Sequence, residues 1–169
     1  MNIWNERRFA AALAALPIVL AMSTTVAAQD RVKRGEYLAA IMDCTGCHTP
    51  GALTGKPDLT RHLGGSEVGF ALPGLGIFYP PNLTPDRETG LGTWNEAQII
   101  AAVRKGERPD GRMLAPVMPW HSYSRLTDAD ARALASYLKS LKPLRHKVPE
   151  MRGPSEKPTA PYLDLVVPK

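Results

Sequence analysis

The two cysteines of the chain, Cys44 and Cys47, are three residues apart, and His48 follows the second one directly. Thiols and an imidazole at this spacing can perform four kinds of chemistry. They can form a structural disulfide, a redox-active dithiol, part of a zinc site, or a covalent attachment site for haem. The three residues alone do not decide among these, so the surrounding sequence has to.

Three of the four chemistries explain the motif poorly. A disulfide between Cys44 and Cys47 closes a very small ring and constrains the unfolded chain little. A reactive dithiol usually lies at a helix N-terminus, where the helix dipole stabilises the thiolate, whereas this motif lies at the C-terminal end of a predicted helix. Zinc needs additional ligands, and the chain has no further cysteine to supply them.

Covalent haem c explains all three residues. The cysteine spacing matches the separation of the two haem vinyl groups, so Cys44 and Cys47 form thioethers to them. His48 is then held beneath the iron as the proximal ligand. We therefore predict one covalent haem c, with its iron, as the cofactor.

The ligand on the opposite face of the iron is predicted to be Met118. Prolines on both sides of this residue stiffen the backbone, and Trp120 supplies an aromatic wall for the cofactor. A thioether favours Fe(II) and raises the reduction potential, whereas a second imidazole would lower it. Three other residues remain alternatives for this position: Met113, His121 and His62.

Three main helices are predicted to position these residues. The first begins at the N-cap Asp30 and runs to about residue 44. The second covers residues 93–106 and begins with a capping box of Thr93 and Glu96. The third starts at Thr127 and ends before Pro143, with apolar residues recurring at helical spacing.

A long loop separates the first two helices. It covers residues 49–92 and contains nine glycines and six prolines. Loops of this length without structure of their own are uncommon in compact domains, and three short helices bury little apolar surface. We therefore expect an all-α fold in which three main helices and long loops wrap around one covalent haem c.

The two ends of the chain differ from its middle. Residues 1–28 have the order of a secretory signal peptide: Arg7 and Arg8, then an apolar run, then small residues ending at Ala28. Cleavage there would deliver a periplasmic chain with a haem domain at residues 29–148. Residues 149–169 form a proline-rich extension, either an extended strap or a flexible tail, whose apolar residues 162–167 could dock on the domain. The net charge of +5 is small, and the basic residues are scattered along the chain, which argues against nucleic acid as a partner.

The ordered set of motifs resembles the class I cytochromes c. It is especially similar to the single-haem periplasmic cytochromes, and cytochrome subunits, that accompany bacterial alcohol, aldehyde and sugar-acid dehydrogenases. The resemblance covers about residues 32–144. In chain order, its motifs are Gly35-Glu36-Tyr37-Leu38, Cys44-Thr45-Gly46-Cys47-His48, Asn82-Leu83-Thr84-Pro85-Asp86, Asp110-Gly111-Arg112, Met118-Pro119-Trp120 and Leu126-Thr127-Asp128.

The resemblance implies the same thioethers and axial ligands as the residues themselves. It also implies that a proline carbonyl accepts a hydrogen bond from the ring N–H of His48, and the matching position is Pro57. Finally, it implies that the first and last helices cross closely, with Gly35 and Tyr37 near Tyr137.

These features predict a periplasmic electron-transfer protein and not an enzyme. Its expected partners are a dehydrogenase as electron donor and a terminal oxidase or another cytochrome as acceptor, with peripheral association with a membrane complex. Two alternatives remain open. The chain could be a five-coordinate haem enzyme or gas sensor resembling a small peroxidase, or a fixed cytochrome subunit of a dehydrogenase complex.

Overall fold

Five helices and a small sheet make up the computed structural model, which describes residues 28–168. The predicted signal peptide, except for its last residue, lies outside the described residues. Among the described residues, no helix has the length and apolar character needed to cross a bilayer. The helices are α1 (28–41), α2 (Cys44–His48), α3 (Glu96–Lys105), α4 (Trp120–Tyr123) and α5 (Asp128–Ser140), and the strands are β1 (Gly69–Leu72), β2 (Gly76–Phe78) and β3 (Tyr162–Leu163).

The first predicted helix ends earlier than expected, and the cysteine motif forms a helix of its own. Helix α1 stops at residue 41, and Asp43 then adopts a left-handed conformation with φ of 52°. Its side chain caps α2 by accepting a hydrogen bond from the backbone N–H of Gly46 at 3.1 Å. The prediction of one helix to residue 44 was therefore wrong, and the motif begins at a helix N-terminus.

The N-cap of helix α3 lies two residues after the predicted one. The residues that form the capping box are Asn95 and Gln98, each of which accepts the other's backbone N–H through its side chain at 2.9 Å. The assignment of this role to Thr93 and Glu96 was wrong, although the helix ends at Gly106 as predicted. Asparagine is as good a cap as threonine, so the pattern alone did not fix the register.

Helix α5 supplies much of the core and crosses α1 closely. It starts at its N-cap Thr127, as predicted. At the crossing, Gly35 of α1 lies against the backbone of Ala133, and a Cβ added to it would lie 2.6 Å from the Cβ of Tyr137. The expected close crossing is confirmed at Gly35, whereas Tyr37 is 52% exposed.

The long loop is more structured than its composition suggests. Two short 3-10 helices, Ala52–Thr54 and Leu59–Arg61, are followed by an antiparallel hairpin of β1 and β2. Strand β3 lies parallel to β1 on its other edge, which gives the strand order β2-β1-β3. The described chain is therefore mostly helical, and the expectation of an all-α fold was correct only in part.

The C-terminal extension lies along this hairpin. We call residues 149–163 the C-terminal strap. Its Arg152 exchanges two backbone hydrogen bonds with Ile77, at 2.8 and 3.0 Å, and Pro161 accepts one from Gly69 at 2.9 Å. Beyond the strap, the apolar side chains at 165–167 are 73%, 82% and 74% exposed, so they do not dock on the domain as expected.

The α1–α5 crossing gives a first prediction. Gly35→Ala should lower the free energy of unfolding of the haem-bound protein by about 1–3 kcal/mol, because the new methyl group collides with α5. Chemical denaturation measures the change. Lys33→Ala, at an exposed position of the same helix, is the control and should change stability by less than about 0.5 kcal/mol. Stabilisation by Gly35→Ala, as helix propensity alone would give, would contradict the close crossing.

Candidate haem site

A cavity of about 530 Å³ lies beside α2, between the two long helices α3 and α5 and the segments 78–91 and 108–119. Its walls are largely apolar, with contributions from Ile99, Leu134 and Leu138. Cofactor sites usually have volumes of about 300–1,000 Å³ and a few polar groups at fixed places. The predicted ligands Cys44, Cys47, His48 and Met118 all line this cavity.

His48 is buried, and its ring is oriented by a backbone carbonyl. Its side chain lies with Nδ1 2.8 Å from the carbonyl oxygen of Pro81. A carbonyl only accepts, so Nδ1 carries the proton and donates it, and Nε2 keeps the lone pair that a metal needs. Burial lowers the pKa of His48, against the opposing effect of the Pro81 bond, and this favours the neutral, ligating form.

The proline that contacts His48 is therefore Pro81 and not Pro57. Pro57 is exposed and does not line the cavity, so its predicted role is corrected. The resemblance pointed to Pro57 through the segment Gly55-Lys56-Pro57-Asp58-Leu59. The actual partner is 33 residues from His48 in sequence, a separation that only the fold of the long loop explains.

Asn82 fixes the position of the Pro81 carbonyl. Its side chain is 1% exposed and joins two parts of the chain. The amide oxygen accepts hydrogen bonds from the backbone N–H and the hydroxyl of Thr84, at 2.9 and 2.7 Å. The amide nitrogen donates to the hydroxyl of Thr89 at 3.1 Å and to the carbonyl of Leu144 at 2.7 Å. Asn82 thus ties the segment facing His48 to the chain that follows α5.

The two thiols are free in the described chain, and their surroundings keep them protonated. Burial, with a smaller contribution from the carboxylate of Asp43, raises the pKa of Cys44 to about 11 and raises the pKa of Cys47 as well. A reactive dithiol requires a lowered pKa, so this site does not resemble one. The predicted position of the motif at a helix C-terminus was wrong, because α2 places Cys44 at a helix N-terminus, and it is the raised pKa of the thiols that argues against a dithiol.

The alternatives to Met118 lie away from the cavity lining. Met113 is 48% exposed, and His121 is exposed and stacks on the ring of Trp120. His62 lies with Nε2 3.3 Å from a tyrosine hydroxyl. Among residues 28–168, no group of three or more histidine, cysteine, aspartate or glutamate side chains is arranged to hold a metal ion. Neither a second histidine ligand nor a zinc site therefore finds support in this geometry.

Comparison with known proteins identifies the family. The family model described as Cytochrome c matches residues 32–142. The chain belongs to the cytochrome c family. Covalent haem c, with its iron, is therefore the cofactor, and the function of the family is electron transfer.

Several relatives are cytochrome subunits of bacterial dehydrogenases. The chain is 40% identical over 126 residues to the cytochrome c subunit of a quinone alcohol dehydrogenase from Gluconobacter oxydans (strain 621H), covering 73% of this chain and 24% of the relative. It is 34% identical over 131 residues to the fructose dehydrogenase cytochrome subunit of Gluconobacter japonicus, covering 78% and 24%. The gluconate 2-dehydrogenase cytochrome c subunit of Pantoea cypripedii is 41% identical over 106 residues, covering 63% and 22%. The chain thus spans about a quarter of the length of these relatives.

The cavity of this cytochrome c fits the cofactor. Two thiols, a buried neutral imidazole and a thioether line one space whose walls are otherwise largely apolar. Two cations, Arg108 and Arg112, also line it and match the negative charge of the two haem carboxylates. The sequence had shown Asp110-Gly111-Arg112 as a motif without giving Arg112 a role.

The aromatic wall of the cytochrome is formed by a different tryptophan from the predicted one. Trp94 lines the cavity, with the guanidinium of Arg108 5.2 Å from its ring centroid. Trp120 does not line it and packs instead over Gly106, where an added Cβ would lie 2.8 Å from the indole ring. The structure thus places Trp94, and not Trp120, in the cavity lining. Adjacency to Met118 in sequence did not place the indole in the same wall.

The hydrogen bonds of Asn82 give a second prediction. Asn82→Ala should lower the free energy of unfolding by about 1–3 kcal/mol, because it leaves buried partners unpaired. It should also raise the midpoint potential, because a less well-held Pro81 carbonyl makes His48 a weaker donor to Fe(III).

Denaturation and a redox titration measure these two effects, and Asn95→Ala is the control. Loss of the Asn95 cap should cost about 1 kcal/mol without moving the potential. Equal potentials in the two variants would show that Asn82 has a purely structural role.

Proposed function

We propose that the chain is a periplasmic electron carrier that passes electrons between a dehydrogenase and the respiratory chain. In this proposal Cys44 and Cys47 hold haem c through thioethers, and His48 and Met118 are the axial ligands of its iron. One observation carries the proposal: a single, largely apolar cavity is lined by all four side chains.

The bound haem supplies a one-electron couple between Fe(III) and Fe(II). The residues around it keep the two states alike in structure. The hydrogen bond to Pro81 holds the His48 ring in one tautomer and one orientation, and the prolines on either side of Met118 restrict its backbone. With His48 and Met118 both bound to the iron, no open position would remain for a substrate, so no substrate chemistry is proposed.

The apolar walls of the cavity exclude water, and its two arginines balance the negative charge of the haem carboxylates. Aliphatic, methionine, proline and aromatic side chains form most of the lining, and Arg108 and Arg112 would hold the two haem carboxylates. Guanidinium groups bind carboxylates through paired hydrogen bonds, which fixes orientation as well as charge. In this arrangement the cysteines attach the haem covalently, and the arginines fix its orientation.

The partners are proposed from two sources. The names of the relatives describe cytochrome subunits of alcohol, fructose and gluconate dehydrogenases, which supports a dehydrogenase as electron donor. The signal-like order of residues 1–28 supports a periplasmic location. A terminal oxidase or another cytochrome would be the acceptor, with peripheral association with a membrane complex.

The same relatives also favour the second candidate function, a fixed cytochrome subunit of a dehydrogenase complex. Purification of the intact chain from its own cell envelope separates the two. A diffusing carrier should elute alone, at the mass of the chain with its haem. Elution with a much larger partner would favour the fixed subunit and contradict the carrier.

The ligand assignment gives a third prediction. Met118→Ala should abolish the weak long-wavelength absorption band that marks an iron–thioether bond, and should lower the midpoint potential because water or another donor replaces the thioether. Absorption spectra of the oxidised protein and a redox titration measure these effects. Met113→Ala is the matched control, since that side chain does not line the cavity, and it should keep both the band and the potential.

The reverse result would overturn the assignment of Met118. Rapid and complete binding of carbon monoxide to the reduced unmodified protein at neutral pH would contradict a closed coordination sphere. It would favour the five-coordinate enzyme or gas sensor instead.

A further inference from the structure

The C-terminal strap contributes to the haem cavity as well as to the sheet. Pro149 and Met151 line the same space as His48 and Met118, although the motifs of the family resemblance end near residue 144. The cavity wall therefore includes residues that neither the cysteine motif nor the methionine segment supplies.

Contacts near both of its ends hold the strap in place. Near its start, Arg152 pairs with Ile77 through two backbone hydrogen bonds. Near its end, the hydroxyl of Tyr79 donates to the carbonyl of Ala160 at 3.0 Å, and β3 pairs with β1. Since Tyr79 also lines the cavity, the surface to which the strap binds is itself part of the haem site.

A contact also joins the strap to the segment that carries Met118. The guanidinium of Arg112 lies with Nη1 3.4 Å from the sulfur of Met151. Both side chains line the cavity, so the strap meets the segment 108–119 at the rim. The strap thus bridges from the hairpin to the segment that provides the distal ligand.

The positive and negative charges of the strap cancel, which limits the ways in which the strap can change the reduction potential of the haem. Residues 149–163 contain two acids, Glu150 and Glu156, and two bases, Arg152 and Lys157. Because its formal net charge is zero, the strap has little long-range electrostatic influence on the iron. Its remaining influence is the exclusion of water, which the apolar Pro149 and Met151 provide at the cavity.

We propose that the C-terminal strap is a wall of the haem cavity that raises the reduction potential by excluding water from the haem. Oxidised haem carries one more positive charge than reduced haem, and water stabilises that charge. A site closed by the strap therefore favours the reduced state. The inference rests on the proposed function, since it requires a bound haem with a reversible couple.

Detaching the strap from the hairpin tests the proposal in the full-length, haem-bound protein. A Cβ added at Gly76 collides with the carbonyl of Arg152, so Gly76→Ala should push the strap away from β2. At a fixed ambient potential, the ratio of reduced to oxidised haem should then fall about tenfold, equivalent to a potential about 59 mV lower for one electron. Reduction by ascorbate should become faster, because the haem edge is more exposed.

Gly74→Ala is the matched control for this variant. Gly74 belongs to the same hairpin and also has a positive φ, of 74° against 113° at Gly76, but no heavy atom of the described chain lies within 4 Å of the added Cβ. It introduces backbone strain without touching the strap. The potential of Gly74→Ala should therefore equal that of the unmodified protein.

Met151→Ala keeps the test decisive if Gly76→Ala fails to fold. It removes a side chain from the cavity wall and should lower the potential in the same direction by a smaller factor, about threefold in the reduced-to-oxidised ratio, or about 28 mV. Met113→Ala removes a similarly exposed methionine that does not line the cavity, and it should leave the potential unchanged.

Unchanged potentials and ascorbate rates in Met151→Ala, with haem c still bound, would overturn the role of the strap. That result would leave the electron-transfer proposal intact. Absence of covalent haem or of a reversible couple in the unmodified protein would instead overturn the proposed function.

Discussion

The hydrogen bond from Nδ1 of His48 to the carbonyl of Pro81 is the interaction on which the site depends. It spans 33 residues of sequence and fixes both the tautomer and the angle of the ring. The carbonyl is fixed in turn by Asn82, which holds the chain after α5 through Leu144. On the other side, the carbonyl of His48 accepts the backbone N–H of Gly65 at 2.8 Å. The long loop is therefore folded around the imidazole.

The same arrangement explains how a short chain with few helices folds around a large cavity. Ile99 and Leu134 belong to the buried core, at 2% and 1% exposed, and they also line the cavity. Their apolar surfaces face helix neighbours on one side and the cofactor site on the other. We expect covalent haem to fill this cavity and complete the apolar core, which would couple cofactor binding to folding, as in metal sites that do not preform.

Local features of the site could be predicted from the sequence, whereas features that depend on the path of the loop could not. The spacing of Cys44, Cys47 and His48 reflects the size of the cofactor, so this motif can be recognised from the sequence without knowledge of the fold. The choice between Pro57 and Pro81, or between Trp120 and Trp94, depends on which segments meet across the cavity. The three main helices could be predicted within a few residues, whereas the short helices α2 and α4 could not. The errors at helix starts came from caps, where Asn95 and Asp43 compete with their neighbours.

The strap shows why a family match does not describe the whole of a cofactor site. The match to the cytochrome c family ends at residue 142, and Pro149 and Met151 of the cavity wall lie beyond it. Within the match lie Cys44, Cys47, His48 and Met118, the residues proposed to attach and ligate the haem. A wall that excludes water needs only apolar surface in the right place, and many sequences supply that. Because solvent exposure and ligand identity act on the iron separately, a wall outside the matched residues can tune the potential without any change of ligand.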